Sequence, residues 1–86
     1  MTGINEVIQS PLFGRQKKKL KKNQVKFLDD AIHKIMDAPE LGEQKIGDLM
    51  GVRVFKFRMG KDQILLAYEI LEKTNFYRDL KKYRSR

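Results

Sequence analysis

Two runs in the second half of the chain carry most of its core-forming residues. Val52-Arg53-Val54-Phe55-Lys56-Phe57-Arg58 and Ile64-Leu65-Leu66-Ala67-Tyr68-Glu69-Ile70-Leu71 flank Gly60-Lys61-Asp62. β-branched and aromatic runs around a glycine turn predict a β-hairpin. In the first run Arg53, Phe55, Phe57 and Met59 share one face, while Val52, Val54, Lys56 and Arg58 share the other. The first face is apolar enough to pack against helices, and the second ends in two cations. The second run is apolar on both faces, the pattern of a strand buried between neighbours.

Upstream, Ile4-Asn5-Glu6-Val7-Ile8 is short and β-prone and predicts a first strand. Ser10-Pro11 is a helix start, because serine caps free amides and proline suits the first helical position. The helix is expected from Leu12 to about Lys21. Asn23 is the candidate cap of a second helix, in which Val25, Leu28, Ile32, Ile35 and Met36 recur at helical spacing. Ala38-Pro39 ends it. The short join predicts a helical hairpin. Pro39–Met50 is expected to be a loop pinned to the core by Leu41, Ile46 and Leu49. Asn75–Tyr83 has weak helical spacing in Phe76, Leu80 and Tyr83, and residues from Tyr83 onward are expected to fray.

Composition narrows the class. The 86 residues are expected to form one small domain, residues 1–86. No apolar stretch approaches the ~20 residues of a bilayer span. The start has no basic-then-apolar signal pattern, so a cytoplasmic address is the expectation. With no cysteine and one histidine, disulfides and a cysteine nucleophile are excluded, and neither a metal site nor a cofactor is expected. The net charge is +8, from 19 Lys+Arg against 11 Asp+Glu. Such an excess attracts a polyanion or an acidic protein. Arg15 to Lys26 holds seven cations and no acid, whereas Asp29 to Asp48 holds six acids against Lys34 and Lys45.

The order strand, two helices, loop, hairpin, basic tail resembles the RelE/ParE superfamily of toxins from bacterial type II toxin–antitoxin systems. The matching stretches are Phe13–Lys22, Pro39–Gly42, Lys45–Phe57, Leu65–Glu69 and Asn75–Lys81. The resemblance implies an α+β fold, with a small, mostly antiparallel sheet and an N-terminal helical hairpin packed on one face. It also implies a cognate antitoxin as partner and a choice of targets. RelE-like members cleave mRNA in the ribosomal A site without a metal, and ParE-like members inhibit DNA gyrase. A third reading, from another class, is a basic binding module without catalysis, a relic that binds RNA or its antitoxin. Against the resemblance, Leu71–Thr74 runs straight into Asn75-Phe76-Tyr77 with no histidine nearby. One C-terminal strand is therefore expected to be missing. That would leave Ile64–Leu71 as an open edge, to be completed by an antitoxin segment or a second copy.

RNA cleavage by 2′-hydroxyl attack needs a base, an acid and cations for the charge that develops on phosphorus. RelE-like enzymes place basic residues and a tyrosine in these roles. The resemblance carries them onto Lys56 and Arg58 of the first hairpin strand, with Tyr77 and Arg78 as the C-terminal candidates. Arg15, Lys17, Lys18, Lys19, Lys21 and Lys22, with Arg53 and Lys61, are the candidate phosphate contacts. As point charges the lysines bring affinity without sequence preference. The plainer alternatives are a solvated helix face for the lysine run and exposed strand residues or an antitoxin contact for Lys56 and Arg58. Phe55, Phe57 and Tyr68 are assigned to the core.

Overall fold

The computed structural model describes residues 6–44 and 51–83. Its elements are β1 (Glu6–Gln9), α1 (Pro11–Lys18), α2 (Lys22–Asp37), a single 3-10 turn at Pro39–Leu41, β2 (Glu43–Gln44), β3 (Val52–Met59), β4 (Asp62–Leu71) and β5 (Thr74–Tyr83). The strands make one sheet in the order β1-β5-β4-β3-β2. All neighbours are antiparallel except β1, which lies parallel to β5. The class is α+β with the helices on one side, as expected.

The helices form where local chemistry allows. Ser10 Oγ accepts from Phe13 N at 3.0 Å and caps α1, and Pro11 opens the helix. Gln24 Oε1 accepts from Lys21 N at 2.8 Å, so α2 begins at Lys22, one residue before the expected Asn23 cap. Phe13 of α1 and Leu28 and Ile35 of α2 pack against Met59, Ile64, Leu66, Tyr68 and Tyr77 of the sheet. Phe13 stacks on Tyr77 with ring centroids 5.6 Å apart, and Tyr77 lies 5.9 Å from Tyr68. Such pairs add modestly to the area they bury.

Three expectations are corrected. First, no strand is missing: Asn75–Tyr83 is not a helix but the body of β5. The β4–β5 turn, Glu72-Lys73, joins Leu71 directly to its register partner Thr74. It contains no glycine, proline or asparagine, and Glu72 takes φ 58° without the glycine such a turn favours. Second, β4 is hydrogen-bonded on both sides, to β3 and β5. It offers no edge to an antitoxin strand or a second copy. It is the inner strand that its doubly apolar pattern implied. Third, Leu41 is 51% exposed and pins nothing; Ile46 and Leu49 lie outside the described residues. The pin is Tyr68, whose hydroxyl donates to Pro39 O and accepts from Gly42 N at 2.9 Å. A side chain at Gly42 would meet the Tyr68 ring and hydroxyl at 2.7 Å.

β1 pairs with β5 only from Thr74 to Tyr77. Beyond that, α1 takes over as a substitute neighbour. Ser10 N donates to Tyr77 O at 2.9 Å and Ser10 Oγ to Arg78 O at 2.6 Å. Gln16 then clamps Leu80 from both directions, Nε2 to O at 2.9 Å and N to Oε1 at 2.8 Å. The backbone of β5 is thus satisfied where strand pairing stops.

Candidate nucleic-acid interface

Strand alternation gives the sheet two unlike faces. The helices cover the face of Phe55, Phe57, Leu66, Tyr68 and Tyr77. On the other face no element lies over the strands among the described residues. The register there sets side chains in rows. Lys56, Leu65 and Lys81 form one row; Arg58, Gln63 and Tyr83 form the next; Val54, Ala67 and Asp79 lie on the other side. Adjacent strands are about 4.8 Å apart, so Lys56 and Lys81 bracket Leu65 at roughly 10 Å backbone to backbone. Lys56 Nζ lies 5.5 Å from the centre of the Tyr83 ring, within reach of a cation–π attraction.

β5 is interrupted by a bulge. Ala67 pairs with Asp79 and Tyr68 with Tyr77, so Arg78 is the extra residue. Its carbonyl is held by Ser10 Oγ, and its guanidinium pairs with Glu69. The bulge puts both Arg78 and Asp79 beside a cleft of about 380 Å³, floored by Val52, Val54, Leu65 and Ala67 and closed by Lys81.

Of the expected catalytic residues, Lys56 and Arg58 stand in adjacent rows of the open face, whereas Arg78 lies toward its other end, paired with Glu69 opposite Val52. Tyr77 is not on that face. It is fully buried on the helix side, where its hydroxyl accepts from Asn75 Nδ2 at 3.1 Å. Burial pushes its hydroxyl up to about 12, partly offset by that hydrogen bond. Burial likewise raises Tyr68. The tyrosine that does reach the open face is Tyr83, the last residue of β5. Lys81, Asp79 and Tyr83 share this open face and were not among the site residues singled out from the sequence. Recognising Glu72-Lys73 as a turn was the signal needed to find them.

The expected phosphate contacts divide. Arg15, Lys18, Lys19, Lys21 and Lys22 are exposed on α1 and the turn to α2, and Lys17 is half-buried, 3.9 Å from Asp29. They sit on the helical layer, across the sheet from Lys56. Lys61 is exposed in the β3–β4 turn. Arg53 stands apart from the open face: on the helix side, its Nη1 donates to Gly42 O at 2.8 Å and Glu40 O at 3.3 Å, tying β3 to the segment before β2.

Among the described residues no cluster of histidine, aspartate or glutamate has metal-binding geometry, and no helix is long and apolar enough to cross a membrane. A two-helix layer over a five-stranded mixed sheet is also the fold of solved RelE-type toxins. The family model of ParE-like toxins of type II bacterial toxin–antitoxin systems matches residues 7–81, and the chain belongs to that family. No curated protein matches the sequence. Solved structures share the fold at low identity. A chain of the intact E. coli RelBE toxin–antitoxin complex superposes with TM-score 0.74 at 14% identity, covering 92% of this chain and 96% of that one. The YoeB/ParE toxin from Agrobacterium tumefaciens gives 0.66 at 12%, covering 93% and 100%. The archaeal RelE–RelB complex from Pyrococcus horikoshii OT3 gives 0.59 at 16%, covering 95% and 96%.

Proposed function

We propose that this toxin acts on translation in the RelE manner, by cutting mRNA on the ribosome, and that a cognate antitoxin neutralises it. The observation that carries this reading is the convergence of Lys56, Arg58, Lys81 and Tyr83 on the helix-free face of the sheet. An RNA strand laid across the rows presents a phosphate to several cations at once. Arginine forks and lysine charges then stabilise the negative charge that grows on the phosphorus as the 2′-oxygen attacks. One lysine of the Lys56–Lys81 row, acting as the free amine, takes the hydroxyl proton while the other keeps its charge, and the Tyr83 phenol supplies a proton to the departing 5′-oxygen. Arg78, already paired with Glu69, steers the strand from the rim. The lysines from Lys17 to Lys22, at the end of α1 and the start of α2, lie on the other layer and contact separate phosphates, such as those of ribosomal RNA. The antitoxin is expected to be acidic, to meet a net charge of +8. Toxins of this fold are found in complex with their antitoxins in the E. coli and P. horikoshii structures.

The test is to add the purified chain to ribosomes translating a defined message and to map the ends by primer extension. New ends confined to translated, ribosome-bound message are the expected result. Intact message together with blocked gyrase supercoiling gives the ParE-like target instead. Neither effect, with antitoxin binding retained, gives the relic.

A further inference from the structure

The cleft on the open face contains a group that a phosphate site does not need. Asp79 is half-buried between Arg78 and Lys81, against the floor of Val52, Val54, Leu65 and Ala67. Glu69 is paired with Arg78, and Asp62 at the far end of the hairpin lies 3.5 Å from Lys82. Asp79 has neither an ion-pair nor a hydrogen-bond partner among the described residues. A carboxylate in this place repels the backbone that the surrounding cations attract. Its acceptor oxygens are open to a ligand that brings donors.

We propose that Asp79 is a specificity residue that reads the donor edge of a guanine seated in this cleft. The inference rests on the reading of the open face as an RNA site, and it names which base that site selects. The cleft's volume, about 380 Å³, falls at the small end of the range of ligand sites, about 300–1,000 Å³. Its aliphatic floor suits the flat side of an unstacked base, and Arg78 and Lys81 at the rim suit the phosphates on either side of it. Single-stranded RNA is read in this way, with bases splayed out and their Watson–Crick edges hydrogen-bonded. An ionised carboxylate only accepts. Guanine presents two adjacent donors on that edge, N1–H and the N2 amino group, and both carboxylate oxygens can be engaged at once. Cytosine and adenine each offer one amino group beside a ring acceptor. Uracil offers N3–H between two carbonyls, which the carboxylate repels. Guanine is the base that this group and this charge favour.

The experiment measures binding of the full chain to seven-nucleotide single-stranded RNAs, uridine throughout except for a central guanine, inosine, adenine, cytosine or uridine, by fluorescence anisotropy at fixed salt. A bidentate contact discriminates by about 1–3 kcal/mol, so guanine is expected to bind at least about fivefold tighter than uridine. Inosine, which keeps N1–H and lacks the amino group, falls between them. Asp79→Asn abolishes the order while total affinity holds or rises, because a negative charge has gone. Equal affinity for all five RNAs, no binding of any, or an unchanged order in Asp79→Asn overturns the proposal. The wild-type order is decisive even if the variant folds poorly. Cleavage on ribosomes separates this inference from the reading beneath it. Message cutting with no base order removes the guanine site and keeps the nuclease; a base order without cutting does the reverse.

Discussion

The two faces of one sheet solve opposite problems with the same three strands. On the helix side, polar groups are bonded within the chain, the buried Asn75 Oδ1 excepted. Arg53 is bound to two carbonyls, the Tyr68 hydroxyl bridges Pro39 and Gly42, and the Tyr77 hydroxyl meets Asn75. On the open side, Lys56, Arg58 and Lys81 are exposed and carry no hydrogen bond or ion pair to a described residue. Tyrosines make the contrast most directly. Tyr77 and Tyr83 are six positions apart on one strand, yet one is a core stone and the other stands beside a cation. A residue type carries no function by itself; the face it lands on decides.

That contrast is open to attack. The largest effect is expected from Lys56→Ala combined with Arg58→Ala, which should lower ribosome-dependent cleavage by about 100-fold or more. Being exposed, the pair should change unfolding free energy by no more than about 0.5 kcal/mol. Cleavage surviving in the folded double variant would take the chemistry off this face.

Next comes alkaline stability. Unfolded tyrosine ionises near 10, whereas Tyr77 stays protonated in the folded chain to about 12. Protons therefore leave the unfolded state first. The contribution of Tyr77 is complete below about pH 10 and is lost as pH rises toward 12, by roughly 2–3 kcal/mol. Urea melts at pH 8 and pH 11 should show the fall, Tyr77→Phe should reduce it to the part that the buried Tyr68 contributes, and Tyr83→Phe should leave it in place. A fall of undiminished size in Tyr77→Phe would place its origin elsewhere.

The smallest effect concerns the turn that delivers β5 to both faces. Glu72→Gly relieves a left-handed φ of 58° and should raise stability by about 1 kcal/mol, read as a higher urea midpoint. A lowered midpoint would mean that the Glu72 side chain matters more than its backbone.

What the sequence revealed follows the same division. α2 was legible because its stripe repeats cleanly, and β4 because it is apolar on both sides. β5 was not, for two local reasons. Its turn is made by Glu72-Lys73, with no residue that announces a turn. Its alternation then slips at Arg78, so Phe76, Leu80 and Tyr83 fall at helical spacing. Lys56 and Arg58 were readable because β3 is regular. Asp79, Lys81 and Tyr83 became visible only with register. The carbonyl contacts of Arg53 were not legible, because alternation gives the face of a side chain and not the carbonyls within its reach.

The bulge has a consequence for inheritance. Tyr77 points inward and Asp79 outward on either side of Arg78, so the two flanking residues would alternate correctly if Arg78 were simply deleted. One codon gained or lost there adds or removes a cation at the mouth of the cleft without exchanging the faces of any other residue. At that position the descendants of this chain have a way to alter the charge at the mouth of the cleft without turning any core residue outward.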